Sequence, residues 1–291
     1  MSRNSIWMAA GLLLSGVAVL PAAAQDPGTE DIRLVSELPN GEWHLPAGDY
    51  ANTRYSPLTA INTDNVKDLK MAWTVSTGVP RGHERQPLVV NGILYIVTPF
   101  PNNLIAIDLT NPGGKFFFKY APYPDPRSVG VACCDVVNRG ASYADGKIFY
   151  ACLDTTVVAV DAATGEEIWR NKVGNPDEGE TITNAALVVK DKVIVGNSGG
   201  ELGVRGKIVA LDTGSGEIQW TAYSTGPDEE VLIGDDFKPF FEKDQGADLG
   251  VKTWPQDQWK LGGGTVNKLL ERYGVPLIQT RARHTQRGTT P

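Results

Sequence analysis

The sequence predicts an all-β fold, a β-propeller with tryptophan-docking repeats, and three observations predict it. An eleven-residue pattern recurs. "AVDAATGEEIW" at Ala159–Trp169 and "ALDTGSGEIQW" at Ala210–Trp220 both read A-x-D-x-x-[TS]-G-x-x-x-W, and a looser copy, "AIDLTNPGGKFF", begins at Ala106. The period is regular: Asp108, Asp161 and Asp212 are 53 and 51 residues apart. Ahead of each copy runs an alternating apolar stretch: "LVVNGILYIVT", "ASYADGKIFYACL" and "LVVKDKVIVGNS". A period near fifty residues with several short strands per unit is the pattern of a propeller.

Taken in chain order, the first element is a leader. Arg3 precedes the apolar run "IWMAAGLLLSGVAVL", and Ala22-Ala23-Ala24 supplies a small-residue cleavage site before Gln25. Residues 1–24 are therefore expected to be a secretory signal peptide. A membrane anchor, which needs about 20 apolar residues, is the competing reading. No other stretch is apolar enough to span a bilayer. The mature thiols would then meet an oxidising compartment. "LKMAWTVSTG", around Trp73, reads as the tail of an earlier unit. The three alternating runs turn at Asn91-Gly92, Asp145-Gly146 and Lys190-Asp191, flanked by β-branched and aromatic residues, and are expected to be hairpins. In each unit the Asp and the Thr/Ser-Gly would close a turn. The Trp would wedge between adjacent sheets with its N–H on a neighbouring backbone.

Residues 25–265 have room for four to five blades, whereas a propeller must close its ring to cover its sheets. Residues 266–291 break the pattern. They lack strand alternation and carry Lys268, Arg272, Arg281, Arg283 and Arg287 against the single acid Glu271. We expect this basic tail to lie outside the propeller, as a premature or frame-shifted end. A natural tail on a small propeller is the alternative. The whole chain carries a net charge of −7, which argues against a nucleic-acid partner.

"GVACCDVVNRG" sets Cys133 beside Cys134, with Cys152 the only other cysteine. Adjacent α-carbons lie about 3.8 Å apart, closer than the roughly 4.4–6.8 Å of ordinary disulfides. A bond between neighbours would be strained and would close almost no loop, so it would add little stability. It would offer a rigid, polarizable sulfur surface suited to a flat conjugated cofactor. Two free cysteines in a strand, or one of them paired with Cys152, remain the alternatives. No C-x-x-C or H-x-x-x-H spacing supports zinc. His44, His83 and His284 form no ligand spacing, and no Ser-His-Asp or H-E-x-x-H arrangement is present. "GGELGVRG" is followed by the strand "KIVALD", whereas a dinucleotide loop must open a helix.

From about Glu42 to Thr265 the chain resembles the pyrroloquinoline-quinone (PQQ) dependent alcohol dehydrogenases, the methanol/ethanol quinoprotein family. The resemblance rests on "GHERQPLV", "ACCDVVNRG", the Trp repeats, "TITNAALVV", "NSGGELGVRG" and "KTWPQDQWKLGGGT". It implies an eight-bladed propeller, of which roughly the first half is present here, with the quinone on its axis. It also implies oxidation of primary alcohols in the periplasm, with a cytochrome c as electron acceptor, and it admits a homodimer. Where residues match, Cys133 and Cys134 resemble the disulfide on one face of the quinone. Arg139 would pair with a quinone carboxylate, and Glu84 would be a second polar contact. Thr183 and the Ser198-Gly199-Gly200 run would meet the cofactor edge, and Thr265 would lie near it. Glu201 resembles a ligand of calcium or a lanthanide, a hard cation that would polarise a quinone carbonyl. Arg139 paired with Asp135, Glu84 on the surface and Thr183 as a routine strand hydroxyl are the plain alternatives.

The match breaks at Thr265, which is followed by Val266-Asn267-Lys268. The family's stacking Trp, its later metal ligand and its catalytic Asp base have no counterpart here. No catalytic residue is assigned, and little alcohol oxidation is expected of a product ending at Pro291. A rival from another class is a non-catalytic propeller scaffold of the outer-membrane assembly type. Such a scaffold has no use for Cys133-Cys134, Arg139 and Glu201 together.

Overall fold

Asn91 and Gly92 both adopt positive φ, 50° and 76°, and this twist joins β1 (Leu88–Val90) to β2 (Ile93–Val97) in a tight hairpin. The chain returns through β3 (Leu104–Asp108) and leaves by β4 (Lys115–Tyr120), giving a four-stranded antiparallel meander. The next unit repeats it: β5 (Ser142–Ala144), β6 (Lys147–Ala151), β7 (Thr156–Asp161) and β8 (Glu167–Lys172), with Asp145 and Gly146 at 47° and 75° in the turn. The third unit is β9 (Leu187–Val189), β10 (Lys192–Gly196), β11 (Lys207–Asp212) and β12 (Ile218–Tyr223), turning at Lys190 with φ 54°. This computed structural model describes residues 41–111, 113–133, 135–234, 248–254 and 258–261. The leader, Cys134, Thr265 and the basic tail lie outside the described residues. Three complete sheets are seen among them, fewer than the four to five blades the length allows.

The first strands pack side by side, β1 on β5 and β5 on β9, which places them around a common axis. The fourth strands are the most exposed: β4 and β8 present mostly exposed residues, with Trp169 of β8 the buried exception. Between the first two sheets lies a core of Leu88, Val97, Leu104, Ile148, Tyr150 and Val158. Phe149, Val157, Val193, Val195 and Leu211 fill the space between the second and third.

The repeat has a physical basis in each sheet. Asp161 Oδ1 accepts from the backbone N–H groups of Ala163 and Thr164, and Asp212 Oδ1 from those of Gly214 and Ser215. These bonds favour the charged carboxylate and hold both acids below the usual range; the largest cause is the Thr164 N–H for Asp161 and the Ser215 N–H for Asp212. The turn glycine then receives an aromatic ring from the preceding unit. A Cβ on Gly216 would come within 2.6 Å of the Trp169 ring, one on Gly165 within 2.6 Å of Phe118, and one on Gly114 within 2.9 Å of Trp73. Trp169 Nε1 donates to Thr213 O at 3.1 Å. Phe118 thus does in the looser copy what tryptophan does elsewhere. A register shift falls at the matching point of each third strand, at Ala106/Ile107, Ala159/Val160 and Ala210/Leu211.

Polar links tie the first sheet to the second. The Tyr150 hydroxyl donates to Asn102 O at 2.9 Å, and Leu153 N donates to Asn102 Oδ1 at 2.9 Å, all of it buried. Asn102→Ala leaves the Leu153 N–H unpaired. The expected loss is about 1–3 kcal/mol of unfolding free energy, read as a lowered urea midpoint with unchanged slope.

Candidate functional site

Three loops enter the first strands of successive sheets from the same end. Glu84 lies four residues ahead of β1, Arg139 three ahead of β5, and Thr183 four ahead of β9. They form a chain across the sheets. Arg139 Nη2 meets Glu84 Oε2 at 3.1 Å, Arg139 Nη1 donates to Thr183 Oγ1 at 2.8 Å, and Arg139 N donates to Thr183 O at 3.0 Å. The strand β10 runs back toward this end, so the residues after it join the same rim. Thr181 and Ser198 exchange both backbone hydrogen bonds, at 3.2 and 2.7 Å, and this bridge fixes the Ser198–Glu201 turn beside the Thr181–Thr183 loop.

A cavity of about 360 Å³ opens there, within the roughly 300–1,000 Å³ usual for small-molecule sites. Cys133, Arg139, Thr183, Ser198, Gly199, Gly200 and Glu201 line it, seven of the ten residues singled out from the sequence. Glu84 reaches it only through Arg139. Cys134 and Thr265 lie outside the described residues. Cys133 is exposed at the cavity wall, whereas Cys152 is a fully buried free thiol whose pKa burial pushes well up; a Cys152 bridge is therefore excluded. Arg139 pairs with Glu84 rather than Asp135, whose nearest cation is Arg81 at 3.5 Å.

Sequence reasoning missed Thr181 and Asp135, which also line the cavity. Thr181 carries a weak signal, being two residues from Thr183 in the quoted "TITN". Asp135 has φ +72°, and its carboxylate Oδ1 accepts from the Val136 backbone N–H at 2.8 Å. Arg85, beside Glu84, buries Nη1 with no partner among the described residues, and desolvation lowers its pKa to about 10.

The chemistry of this wall is directional. Arg139 is about half exposed, so its fork is open to a second carboxylate beside Glu84. Hydroxyls of Thr181, Thr183 and Ser198 can donate or accept. Gly199, at φ +124°, is required: a Cβ there would stand 2.4 Å from Gly179 O. Gly200 has no neighbour within 4 Å of a notional Cβ. A sulfur surface, a guanidinium, hydroxyls and a turn without side chains fit a flat, carboxylated, aromatic molecule. Among the described residues no three His, Cys, Asp or Glu side chains gather, and Glu201 stands at the cavity wall without such a cluster around it.

The family described as Glucose/ethanol/alcohol dehydrogenase, beta-propeller domain (PQQ), matches residues 43–238. The chain belongs to this family of PQQ-dependent dehydrogenases. It is 49% identical over 264 residues to the lanthanide-dependent methanol dehydrogenase of Methylacidiphilum fumariolicum (strain SolV), covering 91% of this chain and 42% of that protein. It is 44% identical over 268 residues to methanol dehydrogenase [cytochrome c] subunit 1 of Paracoccus denitrificans, covering 90% and 42%. A solved europium-containing methanol dehydrogenase matches with a TM-score of 0.77 at 50% identity, over 81% of this chain and 41% of that one. The chain thus spans about two fifths of the length of these relatives.

Proposed function

We propose that this chain provides one wall of a PQQ site in a periplasmic oxidoreductase. That enzyme oxidises primary alcohols such as methanol to aldehydes and passes electrons to a cytochrome c. The carrying observation is the convergence of Cys133, Arg139, Thr183 and the Ser198–Glu201 turn on one cavity. The bound quinone, with calcium or a lanthanide beside it, supplies the hydride-accepting chemistry.

The chain's own residues bind and orient. Arg139 holds a carboxylate in a bidentate fork, and its bonds to Glu84 and Thr183 fix the guanidinium plane. A bond between Cys133 and Cys134 would give a rigid face for stacking. Thr183 and Ser198 hydrogen-bond the rim of the ligand, and Gly199-Gly200 lets it approach the backbone. Glu201 gives the metal an anionic oxygen. No group of this chain is assigned the proton transfer from the alcohol. The leader ending at Ala24 directs export, which supplies the oxidising compartment that a Cys133–Cys134 bond requires.

The test is a titration of the purified chain with PQQ, with calcium or lanthanum present, followed by quinone absorbance. Saturable binding with one quinone per chain is expected. A folded chain that leaves the quinone spectrum unchanged contradicts the reading.

A further inference from the structure

Behind the cavity lies a buried ion pair that neither the repeat nor the cavity wall accounts for. Lys207 Nζ stands 2.8 Å from Glu180 Oε1, and their side chains are only 15% and 10% exposed. Glu180 Oε1 also accepts from Asn197 Nδ2 at 3.0 Å, and Oε2 accepts from Asn175 N at 2.6 Å. Asn197 in turn accepts from Lys207 N at 2.8 Å and donates Nδ2 to Arg205 O at 3.1 Å. The ion pair is thus tied by hydrogen bonds to Asn175, Asn197 and the Arg205 backbone.

The position of this network gives it meaning. Glu180 immediately precedes the Thr181–Thr183 loop, and Asn197 immediately precedes the Ser198–Glu201 turn. These two cavity-lining segments touch through the Thr181–Ser198 bridge, and the network clamps them from the covered side. A buried ion pair adds little net stability, because desolvating both charges offsets their attraction. Removing one partner strands the other charge and loosens whatever it holds. Such a pair is better placed to fix geometry than to stabilise a fold.

We infer that Glu180, Lys207 and Asn197 are positioning residues that hold the Thr183 and Ser198–Glu201 walls at a fixed separation. The clamp sets the width of the cavity and hence its affinity for a planar ligand. This rests on the quinone reading for the ligand, but not for the geometry.

The experiment compares Glu180→Gln and Lys207→Met with Val193→Ala, a core substitution in β10 away from the cavity, in the whole chain. Hydrogen exchange is followed at the amides of Thr181 and Ser198, and PQQ affinity is measured by absorbance. Both clamp variants are expected to speed exchange at those two amides by about tenfold or more and to weaken PQQ binding roughly tenfold. Lys207→Arg should restore much of both. Val193→Ala should lower the melting temperature without either local effect. Clamp variants with exchange and affinity no different from Val193→Ala overturn the inference. If the unsubstituted chain binds no quinone, the exchange measurement still decides the clamp, and only the functional reading fails.

Discussion

Trp169→Ala is expected to cost about 3–5 kcal/mol of unfolding free energy. Trp169 is 8% exposed and belongs to the core between the second and third sheets. Its ring packs beside Phe149, with centroids 5.9 Å apart, and covers Gly216 of the following sheet. Its Nε1–H bonds to Thr213 O. Truncation therefore opens a cavity between two blades and strands that carbonyl at once. Gly216→Ala should destabilise from the other side, because its Cβ would overlap the ring and its φ of +74° suits glycine. The two together should fall short of additive, since they disrupt one contact. Urea denaturation checks both. A loss near 1 kcal/mol for Trp169→Ala would mean that the repeat tryptophan is not what joins the blades.

Arg139→Met is expected to separate binding from folding. The Arg139–Glu84 pair is about half exposed on both sides, so it contributes little to stability. The melting temperature should barely move. The quinone carboxylate, however, would lose a charge-assisted fork, at about 1.5–3 kcal/mol, or roughly 10- to 150-fold in Kd. Arg139→Lys keeps the charge but cannot bridge Glu84, Thr183 and a ligand in one plane, so it should recover only part of the affinity. Equal affinities for all three proteins would remove Arg139 from the site. A large drop in melting temperature would instead show that its bonds to Glu84 and Thr183 hold the blades together.

The blades were legible because the repeat writes its own physics into the chain. Asp161 and Asp212 must close a turn, Gly165 and Gly216 must leave room for a ring, and Trp169 must fill it. Phe118 shows the limit: it takes the tryptophan's place one residue past the quoted copy, 12 residues after Ala106 where Trp169 stands 10 after Ala159, and only pairing with Ala106 and packing against Gly165 reveal the equivalence. The cavity was legible where resemblance named its residues. Cys133, Arg139, Thr183, Ser198 and Glu201 come from two neighbouring blades, and nothing in composition or periodicity brings them together. The Glu180–Lys207 clamp was not legible at all. Its partners are 27 residues apart in the sequence, on a loop and a strand, and a buried pair looks like any two surface charges until the sheets are stacked.

The most direct measurement is a crystal structure of the chain grown with PQQ and lanthanum. The quinone should lie flat against a Cys133–Cys134 disulfide, with a carboxylate on the Arg139 guanidinium and the metal on Glu201. A quinone bound elsewhere on the chain, or a cavity that stays empty while the rest of the fold is intact, would contradict the account.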